Sequence, residues 1–421
     1  MKLIAEHSAL GGTVRVPGSK SHTIRALLVG SLAEGHSEVY EPLDSLDTQA
    51  CVAACRAMGA TVRLGHDWLI EGTGAQLACP DDVVDVGNSG TTLYLALGAA
   101  ALGQGWTVFT GDQQIRARSA EPLLEALRGL GAEAFSTRGN GCAPLVVRGP
   151  LRGGRVAIEC PTSQYLSSLL LACPLAEGDT EIEVLKLHER PYVEMTLGWL
   201  ESQGVRPERE GWERLRIPGG QSYRAFRRQI PGDFSTATFF LVAAAITGSE
   251  VTLMGLEKDD AQGDKAVVDM LAAMGAQVEW QEGGLRLRGA GLRGGEFDLN
   301  ATPDALPAMA VAACLAEDAS RLANVPQARI KETDRIRVMA EELGKMGAQV
   351  EELPDGLAIQ GGALEGATVD GRGDHRVAMA LAVAGLVASG RTEVQGAEAA
   401  AVTCPDFVPL MASLGARIRE E

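Results

Sequence analysis

The sequence predicts an α/β protein of two lobes, built from six copies of a unit of about seventy residues. Three observations lead there. The 421-residue chain exceeds what one hydrophobic core usually organises, so at least two domains are expected. A helix tail ending in Gly-Ala or Gly-Val, followed by a short strand, recurs at Gly59, Gly131, Gly204, Gly275, Gly347 and Gly415, at intervals of 72, 73, 71, 72 and 68 residues. In step with it runs a second series: GSKSHTIRALLVGSLAEG, GNSGTTLYLALGAAALG, PTSQYLSSLLLACPLAEG, PGDFSTATFFLVAAAITG, TPDALPAMAVAACLAE and GDHRVAMALAVAGLVASG.

Within a unit each element has a physical reason. Short β-like runs come first: TVRVPG, DVVDVG, RVAIEC, RRQIPG, EFDLNA and ATVDGR. The next segment opens on Gly, Pro, Ser, Thr or Asp and is then apolar nearly all round, as a capped helix buried on every side should be. Segments such as EPLLEALRGLGA, KAVVDMLAAMGA and DRIRVMAEELGKMGA alternate apolar and charged residues with helical period, so they are half-exposed helices. The glycine that ends each sits just past the helix, where φ is often positive and a side chain is costly. Each unit therefore reads β-α-β-α-β-β, with parallel strands joined by helices.

Composition narrows the function. A net charge of -17 repels nucleic acid and anionic lipid while leaving room for a local cationic site, so small molecules are the expected partners. The eight cysteines (Cys51, Cys55, Cys79, Cys142, Cys160, Cys173, Cys314 and Cys404) show no CxxC pair or zinc spacing and read as buried, reduced thiols. A cytoplasmic location follows, with no metal and no cofactor expected. The opening MKLIAEHSALGG lacks the pattern of a targeting segment, and the apolar runs near 239–247 and 377–388 are too short to span a membrane. Nothing demands more than a monomer. Several buried-helix starts carry a cation, amide or hydroxyl beside the free N–H groups of the first turn (Lys20, Ser21, Asn88, Gln164, Arg376); converging starts of this kind make an anion site.

At these segments the chain resembles the enolpyruvyl transferases, most closely the 5-enolpyruvylshikimate-3-phosphate synthases (3-phosphoshikimate 1-carboxyvinyltransferases). The likeness covers nearly the whole chain. It rests on Pro17-Gly18-Ser19-Lys20-Ser21 with Arg25, Gly87-Asn88-Ser89-Gly90-Thr91, Arg118, Ser163-Gln164, Pro191-Tyr192, Pro231-Gly232-Asp233, Asp304, Lys331-Glu332 with Asp334-Arg335, and Gly373-Asp374-His375-Arg376. It implies a two-lobed inside-out α/β barrel with three βαβαββ repeats per lobe. The N-terminal lobe would hold residues 20–231, the C-terminal lobe 1–19 and 232–421, and the active site the cleft between them. The sister family acting on UDP-N-acetylglucosamine carries a reactive cysteine before the arginine matched by Arg118, and GDQQIRARS has none. RNA-cyclising enzymes share the fold unit, but the acidic balance argues against RNA.

The resemblance implies transfer of the enolpyruvyl group of phosphoenolpyruvate to the 5-hydroxyl of shikimate 3-phosphate, with release of phosphate. The hydroxyl would add to the middle carbon as the methylene is protonated, and phosphate would then leave. Phosphoenolpyruvate would be held by Lys20, Asn88, Gly90, Arg118, Gln164, Arg335 and Arg376, the forked arginines suiting its carboxylate and phosphate. The acceptor would be held by Ser21 and Arg25 at its carboxylate, Tyr192 at its ring, and Thr162, Ser163 and Lys331 at its phosphate, with Gln164, Asp304 and Gln327 also contributing. Asp304 is the candidate base, and Glu332, with Lys20 near the leaving oxygen, the candidate acid. The structural alternatives are a simple helix cap for Asp304 and a surface helix turn for Glu332, the latter weakened by Lys331 and Arg335 beside it. His375 is expected to position or pack.

The chain departs from the family pattern at several places. Glu189 stands where the family has a serine three residues before the ring-packing tyrosine, and Val402 replaces a frequent lysine. Tyr94 replaces an arginine, Ser119 a proline, Gln327 an asparagine and Thr162 a serine. A carboxylate at 189 repels a substrate phosphate unless it turns away or pairs with a cation such as Arg190. A different cyclic hydroxy acid as acceptor, and a phosphoenolpyruvate-binding homologue without turnover, are therefore the alternatives at this point.

Overall fold

All six recurring glycines adopt positive φ, from 79° to 114°, in the computed structural model, which describes residues 1–421. Each stops a half-exposed helix where a Cβ would be strained, and so turns the chain into the next strand. The helices alternate as the two series predict. α1 (Lys20–Leu32), α3 (Gly90–Ala100), α5 (Ser163–Ala172), α7 (Phe234–Thr247), α9 (Leu306–Cys314) and α11 (His375–Gly385) are buried over nearly their whole length. α2 (Leu46–Ala57), α4 (Glu121–Gly129), α6 (Arg190–Ser202), α8 (Ala266–Ala273), α10 (Arg335–Lys345) and α12 (Phe407–Ser413) bury one face only.

The chain divides into two compact lobes, Gly18–Ile230 and Met1–Pro17 with Pro231–Glu421. Each has its own continuous apolar core and three four-stranded sheets. In the first lobe α3 packs on α1 and α5; in the second α7, α9 and α11 pack on one another. Within each lobe the apolar helices thus lie inside and the sheets outside, the inside-out α/β arrangement with three repeats to a lobe.

One repeat shows the pattern. Gly154–Cys160 runs parallel to Thr180–Leu187 across the α5 crossover, and Thr180–Leu187 pairs antiparallel with Arg214–Ile217, which takes Glu208–Glu210 at the edge. Two repeats correct the sequence reading. The strand before α1, Gly11–Arg15, pairs with Glu250–Met254, whereas Arg227–Gln229, just before α7, pairs with Glu34–Tyr40. The lobe boundaries fall at Pro17/Gly18 and Ile230/Pro231, so each leading strand stays with the lobe the chain is leaving. Lys2–Glu6 completes the last sheet between Thr392–Gln395 and Arg417–Glu420.

All eight cysteines are free thiols, but Cys79 is exposed and so departs from the all-buried expectation. It lies in a segment outside any helix or strand, where its thiol meets the carbonyl of Trp106 at 3.4 Å. No helix is long and apolar enough to cross a membrane.

The α3–α5 contact depends on Gly98. A Cβ there would meet Ser168 Oγ at 2.3 Å and the Ser168 carbonyl oxygen at 2.8 Å, while Ser168 Oγ already donates to the Tyr94 carbonyl. Gly98→Ala is therefore expected to destabilise the fold by about 1–3 kcal/mol through overpacking, read as a lowered urea midpoint.

Candidate active site

Two groups of chemically capable side chains stand at or beside helix starts, one in each lobe. In the lobe Met1–Pro17 with Pro231–Glu421 the centre is Arg335, the first residue of α10, only 1% exposed. Its Nε donates to Asp374 Oδ2 at 2.8 Å, Nη1 to Asp304 Oδ1 at 2.7 Å, and Nη2 to Glu332 and to Asp374 Oδ1. Burial opposes its charge, but Asp374, Glu332 and Asp304 outweigh burial and hold its pKa well above the ordinary arginine value. Arg376, near the start of α11, reaches the other oxygen of Asp304, Nη2 to Oδ2 at 3.0 Å, and its Nε is buried without a hydrogen-bond partner.

Asp304 is thus clamped between two guanidiniums. It is not the cap of α9: it lies in the single 3-10 turn Pro303–Ala305, and Ala305 holds the cap position. Asp374, fully buried, caps α11 by accepting from the Arg376 and Val377 amides, so the residue that orients Arg335 also begins the helix carrying Arg376. Behind Asp304 sits Asp264, which accepts from the hydroxyls of Ser235 and Thr302. Burial first, and then the Asp304 charge, raise its pKa against the pull of Arg376. Gln327 and Lys331 lie at Pro326–Ile330 and just after it; Gln327 Nε2 donates to the Asn300 carbonyl at 3.0 Å. His375 is buried in α11.

In the lobe Gly18–Ile230 the helix starts of α1, α3 and α5 carry the second group. Lys20 opens α1 and pairs with Asp47 at 3.0 Å. Arg25, one turn on, is buried among neutral acceptors: Thr196 Oγ1 at 2.9 Å, the Ser21 carbonyl at 3.0 Å and the Tyr192 carbonyl at 3.0 Å. Burial lowers its pKa to about 10. A cation held by dipoles alone is one that gains most from an incoming anion.

Gly90 opens α3 at a point where Arg118 and Gln164 converge. A Cβ on Gly90 would lie 2.9 Å from Arg118 Nη1 and 3.9 Å from Gln164 Oε1, while Gln164 Nε2 donates to Thr91 Oγ1 at 2.9 Å. Asn88 Nδ2 donates to Asp112 and Gln114, both at 2.6 Å, which fixes the turn before α3. Thr162 caps α5, and Ser163 is its first residue. Glu189, buried at the N-cap position of α6, does not cap that helix with its side chain but places its carboxylate on both of them.

The remaining departures from the family pattern are accommodated within the fold. Tyr94 is a core residue stacked edge-on against Tyr165, whose hydroxyl donates to the Ser119 carbonyl. Val402 is buried at the end of Ala397–Val402. Sequence reasoning missed Asp374 and Asp264 as organisers, Asp47 as the partner of Lys20, and Thr196 and Ser167, whose Oγ accepts from Arg25 Nη2 at 3.4 Å, as partners of Arg25. An aspartate preceding an otherwise apolar helix, as in GDHRVAMA, was the available signal for Asp374.

Known proteins are similar over the whole chain. Residues 4–411 match the family model for EPSP synthase (3-phosphoshikimate 1-carboxyvinyltransferase). A 3-phosphoshikimate 1-carboxyvinyltransferase of Acetivibrio thermocellus is 54% identical over 99% of both chains, and one of Ruminiclostridium cellulolyticum 52% identical over 99% of both. A solved EPSP synthase from Acinetobacter baumannii superposes with a TM-score of 0.83 at 29% identity, covering 100% of this chain and 99% of that one. With the six-repeat fold and its arginine-rich helix starts in place, the chain belongs to the EPSP synthase (3-phosphoshikimate 1-carboxyvinyltransferase) family.

Proposed function

We infer that this protein transfers the enolpyruvyl group of phosphoenolpyruvate to the 5-hydroxyl of shikimate 3-phosphate and releases phosphate, the step of the shikimate pathway that leads to aromatic amino acids. The observation that carries the chemistry is the cluster in which Asp304 and Glu332 share Arg335, with Arg376 on the far oxygen of Asp304. Two carboxylates and two guanidiniums in contact supply both proton handling and anion binding.

The acceptor oxygen bonds to the middle carbon of phosphoenolpyruvate while the methylene carbon takes a proton. The bond to the phosphate oxygen then breaks, and a proton leaves the new methyl group to restore the double bond. Asp304 takes the hydroxyl proton; Glu332 serves the methylene carbon and Lys20 the leaving oxygen. Arg335 and Arg376, with Lys20, Asn88, Gly90, Arg118 and Gln164, hold phosphoenolpyruvate. Ser21 and Arg25 take the acceptor's carboxylate, Tyr192 its ring, and Thr162, Ser163 and Lys331 its phosphate, with Gln164, Asp304 and Gln327 completing the set. In the free protein Asp304 and Glu332 occupy guanidinium faces that the substrate's anionic groups also favour, so binding loosens the carboxylates as it forms the complex.

All these residues belong to one chain, which suits a monomer, and eight free thiols suit a reducing cytoplasm. Phosphate release from phosphoenolpyruvate that appears only when shikimate 3-phosphate is added supports this reading, and its absence overturns it. Gly90→Ala is expected to raise the KM for phosphoenolpyruvate by about tenfold, because the new methyl displaces Arg118; steady-state kinetics at saturating acceptor read the change.

A further inference from the structure

Glu189 is 2% exposed, and its backbone adopts the left-handed conformation at φ 58°, uncommon for a residue with a side chain. Its Oε2 accepts from Ser163 N at 3.1 Å, Ser163 Oγ at 2.8 Å and Thr162 Oγ1 at 3.3 Å. The three donors form the first turn of α5, a ten-residue helix whose free N–H groups favour an anion. Arg190, the neighbouring cation, is exposed and lies over the Trp212 ring at 5.8 Å. The fold therefore places a buried carboxylate on donors suited to a substrate's phosphate.

We propose that Glu189 is a specificity-determining residue, an internal competitor whose carboxylate occupies the start of α5 until the acceptor's phosphate displaces it. This rests on the reading of Thr162 and Ser163 as the acceptor's phosphate donors. Two anions do not share these donors: either the Glu189 side chain leaves, giving up its hydrogen bonds to Thr162 and Ser163, or it stays and repels the phosphate. Both routes weaken binding of the phosphorylated acceptor and leave phosphoenolpyruvate untouched. The enzyme then needs more acceptor for half-saturation than its donor set alone implies, and free phosphate competes poorly at this end.

The test uses the full chain with two variants. Glu189→Ser removes the competing anion and adds a donor; Glu189→Gln keeps the shape and the acceptor oxygen while removing the charge, and so remains informative if the smaller residue disturbs the cap. Both are expected to lower the KM for shikimate 3-phosphate, the serine variant by about tenfold or more, with the KM for phosphoenolpyruvate moving less than about threefold. Calorimetric titration with inorganic phosphate is expected to show tighter binding to both variants than to the parent. A KM for shikimate 3-phosphate that is unchanged or raised in both variants, or phosphate affinity equal to the parent's, overturns the proposal. A parent enzyme that releases no phosphate from the substrate pair overturns the function instead, and the phosphate titration then still decides the role of Glu189.

Discussion

Asp304→Asn is expected to lower kcat by about a hundredfold to ten-thousandfold, the range a positioned general base contributes. The amide keeps the size of the carboxylate and one acceptor oxygen, so contact with Arg335 or Arg376 survives in part. What it loses is the ability to take the acceptor's proton. Asparagine also relieves Asp264, whose raised pKa comes partly from the Asp304 charge, so the fold is not expected to suffer. Stopped-time assays of phosphate release at saturating substrates, with urea unfolding as a control, separate the two effects. A kcat within about tenfold of the parent moves the base role away from Asp304.

Arg335→Met is expected to cost about 3–5 kcal/mol of stability and to abolish measurable turnover. The guanidinium donates to three carboxylates, and Asp374 has no exposure to water with which to compensate. Removing the cation leaves a buried charge that also caps α11, so the loss is passed to the helix carrying Arg376. Arg335→Lys keeps the charge but lacks the fork that reaches Asp304, Glu332 and Asp374 together, and is expected to recover stability more than activity. Urea unfolding that shows less than about 1 kcal/mol of loss for the methionine variant contradicts this account of the cluster.

The repeat was legible because its signals are local. A glycine past each half-exposed helix, and an apolar run opened by a capping residue, are properties of a few consecutive positions, and the six positive φ values and six buried helices match them. Strand partners are not local. Nothing in TVRVPG or RRQIPG shows that Gly11–Arg15 joins Glu250–Met254 or that Arg227–Gln229 joins Glu34–Tyr40; that follows only from where the chain changes lobe. Among the candidate site residues, Lys20 and Arg376 were visible as cations at helix starts and Arg25, Arg118 and Arg335 only through the family resemblance, and their partners were not legible in either way. Asp264 precedes α8 in QGDKAVV like an ordinary surface acid, and only tertiary packing seals it beside Ser235 and Thr302. Glu189 stood out as a departure, but its hydrogen bonds to Thr162 and Ser163 required the crossing of α5 and α6.

Enolpyruvyl transfer by addition and elimination is tested most directly by carrying out the reaction in deuterium oxide. Protonation of the methylene carbon creates a methyl group whose hydrogens exchange roles by rotation before one is lost. Proton and deuterium NMR of the product formed from phosphoenolpyruvate and shikimate 3-phosphate are therefore predicted to show deuterium in the enolpyruvyl methylene, with one phosphate released per ether formed. A product free of deuterium at that carbon contradicts the mechanism, and phosphate release without an enolpyruvyl ether contradicts the transfer itself.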